Sequence, residues 1–238
     1  MTRPYTRSLD PSDYAFLPHA EPLRSFERDM RASGVGHRDW HEHRLWEYAS
    51  ILQQLEELGV PKTASLVDVG SGGSFFPPYL AAVAGWSNVT LTDSMKYGDV
   101  TGDVASQRSH YGIALPLYDV PCEDMVTLAS DAFDVAMCIS TIEHVDAAHH
   151  DRALAELCRV TKPGGYIFIT SDYFRDAGQH FESSPSRHLQ FTAYTADFVR
   201  AIPTMIPANF VGGTDLEYRG NFVHTYSFVN ICLRKRSA

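Results

Sequence analysis

The stretch Ser65-Leu66-Val67-Asp68-Val69-Gly70-Ser71-Gly72-Gly73-Ser74-Phe75-Phe76-Pro77-Pro78 decides how this chain is read. Ser65 to Val69 is a short, mostly apolar, β-branched run, the pattern of a strand buried in a sheet. Gly70, Gly72 and Gly73 follow at once, and glycine lets the backbone turn tightly and approach a ligand closely. Ser74 is placed to cap a helix through Phe76, Tyr79, Leu80 and Val83, where Pro77-Pro78 is tolerable only in the first turn. Strand, glycine turn and helix opening make a nucleotide-type pocket at the carboxyl end of a parallel strand. The alternative is a glycine-rich turn that binds nothing. The order of the downstream elements weighs against it.

A dinucleotide fingerprint G-x-G-x-x-G starting at Gly70 would need its third glycine at position 75, where Phe75 stands. No Lys-Ser or Lys-Thr follows the glycines, so a P-loop is excluded. Asp68, two residues before Gly70, is placed to face an ammonium group. Asp93 ends the next strand, Val89-Thr-Leu-Thr-Asp93, and an acid there can take both ribose hydroxyls. A ribose, a positive amino-acid end and no phosphate point to S-adenosylmethionine.

On these residues the chain resembles the class I S-adenosylmethionine-dependent methyltransferases from Trp46 to the C-terminus. LVDVGSGGS is similar to their first motif, with Ser74 in place of the frequent third glycine. Glu143-His144-Val145, followed by Arg159-Val-Thr-Lys-Pro-Gly-Gly165, keeps the same order. The resemblance implies a Rossmann-like, mostly parallel sheet of seven strands, with an antiparallel last strand and helices on both faces. It implies cofactor contacts at Asp68, Gly70, Ser71, Gly72, Asp93, Ser94, Met95 and Ser140. Asp119-Val-Pro-Cys-Glu-Asp-Met125 resembles the family's adenine-holding stretch, but Pro121 replaces its usual acid. Adenine contacts therefore fall to Cys122, Glu123 and Asp124. The implied organisation is an N-terminal arm and helical cap over residues 1–60 and a methyltransferase domain over 61–238.

With 238 residues, 44% of them hydrophobic, the chain is long enough for one α/β domain. Its formal net charge of -9 disfavours a nucleic-acid substrate, because phosphate binding needs a positive footprint. Cys122, Cys138, Cys158 and Cys232 lack C-x-x-C spacing, and three sit in apolar or helical patterns, as buried thiols do. The polar N-terminus shows no signal peptide, and no apolar run approaches the roughly 20 residues of a membrane span. A cytoplasmic protein without a membrane partner is expected; the oligomeric state is left open.

Along the chain, residues 1–36 read as an irregular, proline-containing arm with a short helix near Leu23–Arg31. A helix follows from about Asp39 to Leu58, with Leu45, Tyr48, Leu52 and Leu55 on one face and Gly59 and Pro61 as its stop. Trp46-Glu47-Tyr48 resembles a segment that packs over the cofactor in related methyltransferases; core packing explains it equally. His37 and His41 have metal-ligand spacing, but with His43 they lack further convincing ligands, so no metal is expected. The third strand falls within Gly112–Tyr118, the fourth is Phe133–Ile139 and the fifth Tyr166–Thr170. Asp146 is placed to cap the intervening helix. Ser171–Gln190, about residues 171–190, is an aromatic and cationic insert positioned to meet substrate, with Tyr173, Phe174, Arg175, Arg187 and His188 among its members. A helix follows over Thr195–Met205, and a hairpin pairing Thr214–Tyr218 with Phe222–Leu233 closes the chain.

Methyl transfer is an in-line displacement, so the protein positions the nucleophile and excludes water. For a hydroxyl acceptor, His144 is the first candidate base, and shaping the pocket is its equal alternative. Glu143 stands beside it, with His180 and Asp172 in reserve. The expected acceptor is a small molecule, by O-methylation of a sugar-like or secondary-metabolite hydroxyl. N-methylation of a small amine and non-catalytic cofactor binding are the alternatives. A nicotinamide oxidoreductase is disfavoured by Phe75.

Overall fold

The computed structural model describes residues 4–15, 17–36, 42–183, 191–220 and 225–237. In chain order the elements are β1 (Thr6–Ser8), a 3-10 turn (Pro11–Ala15), α1 (Ala20–Ala32), α2 (Glu42–Glu57), β2 (Leu66–Val69), α3 (Phe76–Ala82) and β3 (Val89–Asp93). They continue as α4 (Thr101–Tyr111), β4 (Leu117–Asp119), β5 (Phe133–Ile139), a second 3-10 turn (Ile142–His144), α5 (His150–Val160) and β6 (Thr161–Tyr173). The last are α6 (Ala177–Ser183), α7 (Ala196–Met205), β7 (Ala208–Phe210), β8 (Thr214–Asp215) and β9 (Ser227–Lys235).

All the strands share one sheet, in the order β4-β3-β2-β5-β6-β9-β1-β8, with β7 also paired to β9. β4, β3, β2, β5 and β6 are parallel to their neighbours, and β9 runs antiparallel to β6. Successive side chains alternate between the sheet's faces. Leu66, Leu91, Val135, Met137 and Phe168 pack with α1, α2, α3 and α4. Val67, Val69, Ala136, Cys138, Ile167, Ile169 and Ile231 pack with α5 and α7 on the other face. Both faces are thereby covered, which is why the central strands read as continuous apolar runs. All four cysteines are free and buried.

Several expectations are corrected. The mostly parallel sheet is as expected but has nine strands: the expected seven, which include β8 and β9, are joined by β1 and β7. No Thr214–Tyr218 hairpin with β9 forms among the described residues, because β1 lies between β8 and β9. β9 instead pairs with β7 through Leu233–Lys235 and with β1 through Val229 and Asn230. The N-terminal arm is thus built into the sheet rather than laid over it. Ser74 does not cap α3; its hydroxyl bonds the Tyr48 phenol, and the cap position is Phe75. Asp146 Oδ1 accepts from Ala148 N at 2.9 Å, a tight turn that ends before α5 begins. Thr161–Gly165 is taken into β6 through an irregular register between Phe133 and Val135. Within the expected insert, Ser171–Tyr173 extends β6 and Ala177–Ser183 is helical. His37, His41, Arg187, His188 and Phe222 lie outside the described residues, as does the side chain of His43.

Trp46 shows why the arm is integral. Its fully buried ring packs with Leu9 and Phe228, and its Nε1 donates to Asp13 Oδ2 at 2.9 Å. Trp46→Ala is therefore expected to cost about 3–5 kcal/mol, as large-to-small core changes do. Urea unfolding should show one cooperative transition with a lowered midpoint; wild-type stability would contradict this packing.

Candidate active site

The strand order reverses between β2 and β5, so their onward connections leave in opposite directions and open a crevice at their carboxyl ends. A cavity of about 730 Å³ occupies it, within the range of small-molecule sites. Its wall is drawn from the glycine turn after β2, from Asp93, Ser94, Lys96 and Tyr97 after β3, and from Val120–Glu123 after β4. Ile139 to Thr141 and His144 to Asp146 close one side, and Arg44 and Tyr48 of α2 another.

Gly70 is the narrowest point. It has φ +71°, and a Cβ there would lie 2.2 Å from Thr141 Cγ2. Thr141 Oγ1 donates to Gly70 O at 2.9 Å, so the two loop starts are bonded across the crevice. The turn is held from β3 as well. Gly70 N and Ser71 N donate to Thr92 O, and Gly72 N donates to Asp93 Oδ2 at 2.9 Å. Asp93 Oδ1 accepts from Met95 N at 2.8 Å. Each carboxylate oxygen has a further lone pair, so an anchored Asp93 can still accept two hydroxyls.

Asp68 is buried, and its Oδ1 has no hydrogen-bond partner among the described residues. Burial foremost, and then the Asp93 charge, push its carboxyl up to about 7, against the opposing pull of Arg44. The Arg44 guanidinium stands on the same wall. Burial pulls its pKa down, but the carboxylates of Glu47, Glu143 and Asp172, with Tyr48, hold it above its usual value. Arg44 Nη1 donates to Glu47 Oε2 at 3.0 Å, and Ser140 Oγ donates to Glu47 Oε1 at 2.5 Å. Ser140 has φ +42°, left-handed backbone that a non-glycine residue keeps only when its surroundings hold it.

His144 is on the cavity wall, its ring 5.7 Å from that of Tyr97 and 6.4 Å from that of Phe191. Glu143 is not on the wall. It points behind it, nine-tenths buried, and burial and then Asp172 drive its carboxyl well above the usual carboxylate range. The expected reserve base His180 is also away from the cavity. α6 carries it, and its buried ring packs against Phe174 at 4.6 Å. Tyr173 is buried too, its hydroxyl donating to Leu216 O at 2.6 Å, so it is not free to stack on a ligand.

The cavity gathers Asp68, Gly70, Ser71, Gly72, Asp93, Ser94, Cys122, Glu123 and Ser140. Two expected cofactor residues are off it. Met95 contributes its backbone to holding Asp93, and Asp124 pairs with Arg152 at 3.6 Å. Sequence reasoning passed over Arg44 and Thr141. Arg44 shares a helical stripe with Tyr48, four residues on, and a cation on an otherwise apolar stripe is the signal that was available. Phe75, which stands where a dinucleotide site needs glycine, packs edge-on against Tyr48 at 5.2 Å.

Residues 67–169 match the family described as "Methyltransferase domain". Solved structures with the same fold include the 1,6-didemethyltoxoflavin-N1-methyltransferase of Burkholderia thailandensis, with TM-score 0.61 and 16% identity over 96% of this chain and 92% of that one. The (4+2)-cyclase SpnF matches with TM-score 0.62 and 16% identity over 81% and 83%. Among curated relatives, the ubiquinone biosynthesis O-methyltransferase of Stutzerimonas stutzeri is 30% identical over 144 residues, 54% of this chain and 58% of the relative. Its counterpart from Pseudomonas aeruginosa is 28% identical over the same shares. The chain thus spans less than two thirds of the length of these relatives. Residues 67–169 thus match a methyltransferase domain, and the fold is that of these solved structures.

Gly70→Ala tests the narrowest point. Both the positive φ and the Thr141 contact oppose a side chain, so the variant should lose about 1–3 kcal/mol of stability. Denaturant unfolding at wild-type values would show that the turn tolerates a Cβ and that the contact is misplaced.

Proposed function

We propose that this chain transfers the methyl group of S-adenosylmethionine to a small-molecule acceptor, with a hydroxyl favoured as the nucleophile. The observation that carries the reading is the set of polar groups on one cavity wall. Asp93 is anchored by two backbone amides beside the glycine turn, Asp68 Oδ1 has no hydrogen-bond partner among the described residues, and Arg44 shares the wall. An α-ammonium group fits the orphaned Asp68 oxygen, a carboxylate fits Arg44, and vicinal hydroxyls fit Asp93. The Val120–Glu123 stretch would hold the base. When bound, the cofactor supplies an electrophilic methyl carbon on a sulfonium.

The protein's own part is placement. α2 and the turn after β5 enclose the donor end, and His144 stands on the wall where an acceptor hydroxyl can reach its imidazole. The net charge of -9 favours a small molecule over nucleic acid. No helix among the described residues is long and apolar enough to cross a membrane. The relatives named for O-methylation and the N-methyltransferase of similar fold together leave the nucleophile to be decided at His144.

Asp68 makes the cofactor side testable by pH. The raised carboxyl holds a proton in the free protein below about pH 7. In the unfolded chain it ionises near 4, so its effect on stability is a loss as pH rises from about 4 to about 7, and none beyond. A cationic ammonium group favours the ionised form and expels that proton on binding. Cofactor affinity should therefore rise with pH up to about 7 and then level off, and Asp68→Asn should abolish the slope. Calorimetric titrations across this range that show a flat wild-type profile would contradict the assignment.

The acceptor is tested by labelled methyl transfer to pools of small molecules, protein and RNA. Label on small molecules alone is the expected result, and label on a macromolecule alone would overturn it. His144→Ala should lower turnover about 100-fold or more while cofactor affinity stays constant, as loss of a general base does. Unchanged turnover would instead mark an amine acceptor that needs no base.

A further inference from the structure

Glu47 is on α2 with none of its side chain exposed, and both its oxygens are taken by groups that stand on the cavity wall. Oε2 accepts from Arg44, three residues earlier on the same helix, and Oε1 accepts from Ser140, 93 residues away at the end of β5. Among the described residues Glu47 is the one hydrogen-bond partner of Arg44. A carboxylate with no access to water keeps its charge only through such donors. Without it, the half-buried guanidinium would lose the bond that sets its direction. Ser140 also needs holding. Its amide donates to Thr170 O at 3.1 Å and Thr170 Oγ1 at 3.0 Å, and the bond to Glu47 ties its hydroxyl in place at φ +42°.

We propose that Glu47 is a positioning residue for the amino-acid end of the cofactor. It touches no ligand; it aims the Arg44 guanidinium into the cavity and locks α2 to the strained end of β5 at Ser140. This role rests on the cofactor reading given above and deepens it, because Arg44 has a ligand carboxylate to meet only if that reading holds. Arg44, Tyr48, Asp68, Ser71 and Ser74 line one part of the cavity, and the Val120–Glu123 stretch lines another, after the edge strand β4. The effect of Glu47 is therefore confined to ligands that carry an amino-acid group.

Two probes separate this from general damage to the fold. S-adenosylhomocysteine has the adenosine and the amino-acid end, and 5′-methylthioadenosine has the adenosine alone. Glu47→Ala should weaken the first about tenfold or more and leave the second within about twofold, and Arg44→Met should do the same. Because Glu47 acts through Arg44, the double variant should bind S-adenosylhomocysteine within about twofold of Arg44→Met alone. Glu47→Gln, nearly isosteric, guards against failure of the alanine variant to fold. Its amide cannot carry the charge or accept both bonds, so it should show the same selective loss to a smaller degree. Equal weakening of both probes by Glu47→Gln, unchanged S-adenosylhomocysteine binding, or multiplying effects in the double variant would each overturn the positioning role. Failure of the wild-type protein to bind either probe would instead overturn the cofactor reading, and this role with it.

Discussion

The contact between Gly70 and Thr141 is the constraint on which the rest of the site depends. β2 and β5 are adjacent and parallel, but the chain continues from one toward β3 and β4 and from the other toward β6. Their loops must part, and the crevice between them exists only because Gly70, without a side chain, lets Thr141 lie against its backbone. Everything on the cavity wall is registered to that point. The amides of Gly70 and Ser71 are pinned to β3, Gly72 is pinned to Asp93, and Ser140 precedes Thr141 in a left-handed turn. Fold and site are therefore one geometric statement: the sheet order makes the opening, and backbone hydrogen bonds set its width.

Around that opening the protein keeps buried carboxylate oxygens without hydrogen-bond partners among the described residues, at Asp68 Oδ1 and Glu143 Oε2. Such groups are costly in a folded chain, and burial raises both carboxyls above their usual range. A perturbed acid in a cleft beside a half-buried guanidinium marks a candidate functional site. In the reading proposed above, a cationic donor with a carboxylate at one end answers both signs at once, at Asp68 and Arg44. The cyclase of similar fold is a reminder that this architecture alone does not choose the reaction. The choice rests on these side chains.

Much of this was legible in the chain itself. The run Leu66–Val69 and the glycines are contiguous and Asp93 ends the next strand, so their pattern and spacing carried directly into the structure. What was not legible depends on partners distant along the chain. β1 pairs with β8 and β9 across more than two hundred residues, and its three residues have no periodicity to read. The hairpin expected near the C-terminus failed for that reason, since local turn signals cannot show a strand inserted from the other end. Arg44 was passed over because a charged residue near a helix start reads as solvated, although its stripe is otherwise apolar and the fold puts it on the cavity wall. His180 drew attention by residue type, yet helix α6 and Phe174 bury its ring away from the cavity.

The most direct measurement is a crystal structure of the protein with S-adenosylhomocysteine. The account predicts the ribose hydroxyls on Asp93, the ammonium group against Asp68, the carboxylate on Arg44 and the adenine along Val120–Glu123. A ligand bound with its amino-acid end away from Asp68 and Arg44, or no ligand in the cavity at saturating concentration, would contradict it.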